Sequence, residues 1–255
     1  MCYYGNMNDK VIKVYKKAGE TPLMCLQKLK KDRPELSLLS MTYAGRLDPL
    51  AEGVLLILVG DECNKKDEYL NLPKEYEIEV LFGFATDTYD VMGKLGQTIL
   101  NSSSDYVSLM QAILPEFIGK IKQKYPPYSS RPVNGKPLFQ WAREGKLDEI
   151  DIPSHDVFIE NIEIIGANNY LGAELLSKIK EDIGKVKGDF RQEEILHIWE
   201  KELKGKEEKY PVVKLRISCG SGAYMRSIAN DIGEKLGTGA LALKIIRTKV
   251  GEYGI

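Results

Sequence analysis

A short segment near the start of the chain combines an acid with a rigid backbone in a way that suits catalysis. Residues 45–55 read GRLDPLAEGVL. Gly45 permits tight backbone geometry, and Pro49 fixes the φ angle directly after Asp48. The apolar run at residues 54–59 is expected to be a buried strand, which would anchor the loop and leave the carboxylate accessible. A catalytic carboxylate needs this combination of rigid support and access.

The same residues also suit an ordinary turn. Asp and Pro are both common in turns, where the Asp side chain hydrogen-bonds to its own backbone. Spacing alone does not decide whether Asp48 is a catalytic acid or a turn residue. Agreement with further motifs is needed to choose between them.

Composition narrows the class of protein. The chain has 255 residues, 43% hydrophobic and 29% charged, as expected for a globular protein. No apolar run is long enough for a membrane span or a signal peptide, so we expect a cytoplasmic protein that does not bind membranes. Four separated cysteines and two histidines predict neither a zinc site nor disulfides. The net charge of −1 gives no bulk support for nucleic-acid binding, which would require basic residues gathered on one face.

The order of the predicted elements indicates one α+β domain over residues 1–255. Thr21 and Pro22 begin a helix whose leucines 23, 26 and 29 share one face. Residues 74–82 alternate as a half-buried strand, and strands are also predicted near 156–166 and 212–220. Residues 172–210 have a charged helical pattern, and a further helix follows "SGAY" near the end. We therefore expect a mixed, largely antiparallel sheet with helices packed on it.

Four segments together resemble one family. The loop GRLDPLAEGVL resembles the signature G-x-L-D-P-x-A-x-G-x-L of the TruB family of pseudouridine synthases. Residues 74–93 resemble its K-x-Y strand and T-D-T-x-D-x-x-G turn. Residues 114–146 and 215–240 resemble its later motifs, in the family's order. The resemblance runs from about Gly19 to Val250 and omits the charged stretch near 170–210.

The resemblance implies an activity on RNA. The family isomerises uridine to pseudouridine: the glycosidic bond breaks, the uracil turns, and C5 rejoins the ribose. No redox change occurs, so we expect no cofactor and no metal. Asp48 would be the catalytic residue, either attacking covalently or removing a proton from the sugar. A uridine in the T-loop of tRNA is the expected target.

The resemblance also assigns partners to Asp48. Arg226 matches the arginine that pairs with the catalytic acid, although an arginine there would otherwise be read as an ordinary surface ion pair. Tyr76 matches the tyrosine that stacks on the flipped base. By alternation alone it would be a core tyrosine on the face of Ile78 and Val80, and both can hold, since a tyrosine at the end of a buried face can line a pocket. Tyr224 matches a second pocket tyrosine. Ile245 matches an apolar pocket residue.

Lys74 has three possible roles. It could bind phosphate, support the loop, or be a solvated lysine at a strand end.

Two positions depart from the family pattern. Tyr43 stands where many bacterial members have a histidine that fills the place of the flipped nucleotide, and a tyrosine could do so by stacking. Pro132 replaces the family's usual lysine, and Arg131 beside it could contact phosphate instead.

The insertion near residues 170–210 has two interpretations. It is either a solvated helical face or a surface that binds the RNA backbone.

Family members commonly continue into a small C-terminal RNA-binding module, which we do not expect in this chain. We expect a monomer. Two rival functions remain: a synthase guided by a separate RNA, and an RNA-folding helper without catalysis.

Overall fold

The computed structural model describes residues 3–4, 10–96 and 105–255. Within them the strands are β1 (Tyr3–Tyr4), β2 (Val11–Lys16), β3 (Met41–Ala44), β4 (Glu52–Val59), β5 (Lys74–Phe82), β6 (Gly119–Lys124), β7 (Pro132–Val133), β8 (Lys136–Pro137), β9 (Ser154–Leu171), β10 (Lys209–Cys219), β11 (Ala240–Val250) and β12 (Tyr253–Gly254). The helices of the same residues are α1 (Pro22–Asp32), α2 (Lys66–Asn71), α3 (Tyr106–Ile113), α4 (Leu138–Arg143), α5 (Gly172–Lys185), α6 (Gln192–Leu203) and α7 (Met225–Lys235).

One large sheet organises the chain. Its strand order is β1-β2-β4-β11-β5-β10-β9-β6, with β3 beside β4 and β12 beside β11. The β4–β11 pair is parallel, and the other pairs of this sheet are antiparallel. The predicted mixed, largely antiparallel α+β fold is therefore confirmed. Glu52, the first residue of β4, lies opposite Ile246 of β11, so the loop that precedes β4 lies beside the first half of β11.

The alternation predicted for β5 fixes which face of the sheet is covered. Tyr76, Ile78 and Val80 are buried on one face, while the glutamates between them are less buried. Helix α7 packs on the apolar face through Ile228 and Ile232. Burial of this face against the helix stabilises the sheet through the hydrophobic effect.

Helix α1 begins as predicted. The Thr21 hydroxyl accepts a hydrogen bond from the Met24 N–H at 3.1 Å, and a proline occupies the first turn. Leu26 and Leu29 are buried, but the prediction that Leu23 shares their face is wrong, since Leu23 is exposed. Cys25 is the third buried residue of this helix.

The charged stretch is a pair of helices, α5 and α6, and the predicted helix ends earlier than residue 210 because β10 begins at Lys209. The inner faces of the two helices pack against the sheet in a cluster that includes Leu81, Leu243 and Trp199. Among the described residues, no helix is long and apolar enough to cross a membrane.

Candidate active site

Asp48 lies in a tight turn between β3 and β4. Its backbone carbonyl accepts a hydrogen bond from the Ala51 N–H at 3.1 Å, and Pro49 occupies the second position, where a fixed φ favours the turn. Leu47 and Ala51 are buried in the same apolar cluster as Tyr76. The turn is thus held on both sides, while the Asp48 side chain remains 39% exposed.

Arg226 binds this carboxylate with two hydrogen bonds. Its Nε donates to Asp48 Oδ2 at 2.7 Å, and its Nη2 donates to Asp48 Oδ1 at 3.2 Å. The remaining donors reach backbone carbonyls: Nη1 donates to Thr88 O at 2.5 Å, and Nη2 donates to Tyr128 O at 3.3 Å. The guanidinium is buried, and its hydrogen bonds hold it in one orientation. Arg226 is therefore not the surface ion pair considered above.

A second carboxylate balances the buried cation. Asp90 Oδ2 lies 3.7 Å from Arg226 Nε, and Asp90 Oδ1 accepts from the Thr88 hydroxyl at 2.6 Å. Burial raises the pKa of Asp90, although Arg226 opposes this. Burial disfavours the charge of Arg226, but attraction to Asp48 and Asp90 outweighs it and raises the pKa of Arg226. The arginine therefore stays protonated.

The two tyrosines implied by the family motif lie near Asp48. Burial raises the pKa of Tyr76 and of Tyr224, and the negative charge of Asp48 adds to the increase at both phenols. Ile245 is buried in the same cluster as Tyr76 and lies opposite Ile78 across the β11–β5 ladder. The side chains predicted to form the pocket are thus grouped on one side of the sheet.

An aromatic group borders Tyr224. The rings of Tyr125 and His155 are stacked with centroids 4.1 Å apart, and Tyr224 meets Tyr125 edge-on at 5.8 Å. The exposed Arg131 guanidinium lies 5.1 Å from the Tyr125 ring centroid. Buried Gln123 holds the backbone of Tyr224 through its amide, with bonds of 2.8 and 3.1 Å. Arg131 is therefore a cation near the proposed pocket.

Two buried cations hydrogen-bond to backbone carbonyls on either side of the Asp48 turn. Lys16 Nζ donates to Ala51 O at 2.6 Å and to Pro49 O at 3.2 Å. Arg247 Nε donates to Val54 O at 2.7 Å, and its Nη2 donates to Gly45 O at 3.1 Å. Burial lowers the pKa of Lys16 to about 8, although nearby acidic groups oppose the shift. Neither residue was identified from the sequence.

Two other predicted residues have contacts elsewhere. Lys74 is buried and donates to Leu70 O at 2.6 Å and Leu72 O at 2.5 Å, so it is not the solvated strand-end lysine considered above, and its contacts favour a supporting role. Tyr43 is half-buried on β3 and packs in the apolar cluster on the α1 side of the sheet. Its proposed contact with the vacated nucleotide position stays a prediction.

Comparison with solved structures identifies the class of fold. The chain matches a structure described as a Cbf5-Nop10-Gar1 complex with a TM-score of 0.55 and 19% identity over 95% of this chain. It also matches an H/ACA RNP bound to a substrate RNA containing 2'-deoxyuridine, with a TM-score of 0.53 and 18% identity over 96% of this chain. The fold is that of a pseudouridine synthase catalytic domain.

Comparison with protein families identifies the particular family. Residues 33–185 match the model of the TruB family pseudouridylate synthase (N terminal domain). The chain is 32% identical to tRNA pseudouridine synthase B of Synechocystis sp. over 84% of its length, and 32% identical to that of Nostoc sp. over 96%. The chain belongs to the TruB family. It spans 58% and 68% of these two relatives and about half of the two solved chains.

Proposed function

We propose that this protein isomerises a uridine in RNA to pseudouridine, and that its substrate is the T-loop uridine of tRNA. The observation that carries the proposal is the half-exposed Asp48 carboxylate, bound in a bidentate pair by the buried Arg226. Family membership and relatives named tRNA pseudouridine synthase B support the reaction and the RNA substrate.

The chemistry follows from this geometry. The bond between C1′ of the ribose and N1 of uracil breaks, the base turns, and C5 bonds to C1′. C5 then loses its proton and N1 gains one, so the product is an isomer of the substrate. Asp48 either attacks the sugar as a nucleophile and leaves when C5 bonds to C1′, or takes a proton from the sugar and returns it. Both routes require the carboxylate to be ionised. A guanidinium that donates to both carboxylate oxygens fixes the orientation of the carboxylate. Arg226 supplies that contact, and its own bonds to two backbone carbonyls keep it in place.

The substrate base must leave the RNA stack to reach Asp48. The proposed pocket presents the rings of Tyr76 and Tyr224 and the aliphatic side chain of Ile245. Aromatic rings bind an extruded base by stacking, and an aliphatic neighbour excludes water. Arg131, exposed near Tyr224, is suited to a phosphate of the same RNA.

The test is to incubate the purified protein with an unmodified tRNA transcript, without added cofactor or metal. Pseudouridine is mapped by reverse-transcriptase stops after carbodiimide treatment. We expect one product position in the T-loop. Tight binding without product would favour the RNA-folding helper, and product only with an added guide RNA would favour the guided synthase.

The first prediction is that Asp48→Asn abolishes product formation and leaves RNA affinity within about threefold, because the amide keeps the shape but loses the nucleophile and base. Asp61→Asn is the matched control, since Asp61 is exposed just after β4. Turnover by the Asp48→Asn protein would refute the assignment.

A further inference from the structure

We propose that the α5–α6 hairpin, residues 172–203, is a brace that positions the catalytic arginine, and that Arg191 is its key positioning residue. The inference rests on the proposed function, because it assigns the hairpin a role in the same site. Its evidence is a chain of contacts from the hairpin to the two carbonyls that bind Arg226.

The first step concerns what holds Arg226. Thr88 O and Tyr128 O each accept one of its hydrogen bonds, and they belong to two segments far apart in sequence. Both segments meet at Asp87. Asp87 is the residue before Thr88, and its Oδ2 accepts from the Tyr128 hydroxyl at 3.2 Å. Asp87 therefore links the two segments that carry these carbonyls.

The second step concerns what holds Asp87. Arg191, in the connection between α5 and α6, donates from Nη1 to Asp87 Oδ2 at 2.8 Å and from Nη2 to Asp87 Oδ1 at 3.3 Å. Its guanidinium carbon lies 4.7 Å from the centroid of the Tyr128 ring. One arginine of the hairpin thus contacts both segments that present carbonyls to Arg226. A planar guanidinium can form the fork and the ring contact together, and an ammonium cannot.

The third step is a second attachment of the hairpin to the same loop. The Trp199 indole Nε1 donates to Val91 O at 3.0 Å, and the indole is fully buried. Val91 and Met92 pack in the apolar cluster that the hairpin shares with the sheet. The loop that carries Thr88 is therefore fixed to the hairpin at both ends, by charge at Asp87 and by packing at Val91.

The loop itself is tightly folded. Tyr89 adopts a left-handed backbone with φ of 65°, and a Cβ on Gly93 would lie 2.5 Å from the Thr88 hydroxyl oxygen. A non-glycine residue with positive φ is energetically unfavourable and persists when its surroundings determine it. Contacts with the hairpin are surroundings that can hold the loop in this unfavourable conformation.

The charges of the hairpin favour a brace over an RNA grip. Residues 172–203 contain six basic and eight acidic side chains. Several lysines pair within the hairpin: Lys180 with Glu200, and Lys185 with Asp182 at 2.8 Å. A surface that binds phosphates needs cations in excess. The hairpin does not have that excess, so the solvated-face interpretation of its outer surface is the one supported.

The kinetic test compares Arg191→Ala and Arg191→Lys with Lys180→Ala, a charge change in the same hairpin whose ion pair is with Glu200 and not with Asp87. Single-turnover rates and RNA dissociation constants are measured on an unmodified tRNA transcript. We expect the rate to fall about tenfold or more for Arg191→Ala, since small displacements of catalytic groups are costly. Arg191→Lys should recover only part of it, and Kd should stay within about twofold. Lys180→Ala should match the wild type.

A second measurement reports the geometry without turnover. In protein labelled with ¹⁵N-arginine, the Nε–H signal of Arg226, assigned by its loss in Arg226→Lys, reports the hydrogen bond to Asp48. We expect it to shift and to exchange faster with water in Arg191→Ala, and to be unchanged in Lys180→Ala. Melting curves exclude global unfolding, and Arg191→Lys provides the folded variant if Arg191→Ala unfolds.

The outcomes separate the two proposals. An unmoved Arg226 signal together with an unchanged rate in the Arg191 variants would overturn the brace. A weakened, salt-dependent Kd at an unchanged rate would overturn it too and identify Arg191 as an RNA contact. Absence of product with the wild-type protein would overturn the proposed function, whereas the Arg226 signal would still test the brace.

Discussion

The charges around Asp48 and the charges on the outside of the hairpin obey different rules. Arg226, Arg247 and Lys16 are nearly or fully buried, and each donates to backbone carbonyls of the loops that form the site. Lys180 and Glu200 form an ion pair whose side chains are 45% and 44% exposed. Buried cations are tolerated only when their donors are satisfied, whereas exposed pairs are screened by water. The charges that hold Asp48 and its loop are thus buried, where their removal is costly.

The largest effect is expected from Arg226→Lys. An ammonium keeps the charge but loses the fork to Asp48 and at least one bond to Thr88 O or Tyr128 O. We expect the single-turnover rate to fall about 100-fold or more, since a catalytic group displaced by about 1 Å can lose about that much rate.

The rate is to be measured on a tRNA transcript, with circular dichroism melting as the check on folding. A protein that melts far below the wild type would indicate that Arg226 is structural. A rate close to that of the wild type would mean that the buried charge of Arg226 matters no more to the reaction than an exposed charge.

The pairing of Asp48 with Arg226 was predicted from the sequence, whereas most of the contacts around the pair were not. The fold class and the strand β5 followed from hydrophobic alternation, and Asp48 and Arg226 followed from family motifs, since each is a short local pattern. Strands β2 and β11 were not predicted. Each carries a buried cation near its end, Lys16 or Arg247, and a charged residue at a buried position breaks the pattern that indicates a strand.

The hydrogen-bond partners of these cations could not be predicted from the sequence either. Lys16 and Arg247 bind main-chain carbonyls, and any residue type supplies a carbonyl, so no side-chain pattern marks the contact. Asp87 and Asp90 lay in the quoted T-D-T-x-D motif without an assigned role. The role of Asp90 depends on Arg226 of α7 approaching that loop, and that of Asp87 depends on Arg191 of the α5–α6 connection. Such long-range contacts come from tertiary packing.

The next effect is expected from Arg247→Met. Methionine fills much of the volume but leaves Val54 O and Gly45 O without their donor. Each buried acceptor left unpaired costs about 1–3 kcal/mol, so we expect roughly 2–4 kcal/mol lower stability in urea titrations and a lower single-turnover rate. Lys249→Met, at an exposed position of the same strand, is the control. Equal melting of the two variants would contradict a supporting role for Arg247.

A smaller effect is expected from pH through Lys16. Its folded pKa is about 8, below the unfolded value of about 10.4, so its contribution to stability rises with pH between these values. Deprotonation removes one of the donors that hold Pro49 O and Ala51 O, so the rate should decline above pH 8 while stability does not.

The rate between pH 7 and 9.5 is to be measured in the wild type and in Lys16→Met. The inflection should vanish in Lys16→Met and persist in Lys74→Met, whose lysine also has a pKa of about 8 in the wild type but supports another segment. An inflection that persists in Lys16→Met would assign it to another group.

The smallest effect is expected from Lys180→Ala. The pair with Glu200 links the two helices of the hairpin at the surface, and the helices also pack through buried Ile179, Ile195 and Trp199. Because packing holds the helices together, losing one screened pair should move Tm by about 1 °C or less, with the difference shrinking further at high salt. A larger loss in both Tm and rate would mean that exposed charges also determine how the hairpin meets Asp87, and the contrast between buried and exposed charge would then fail at the hairpin itself.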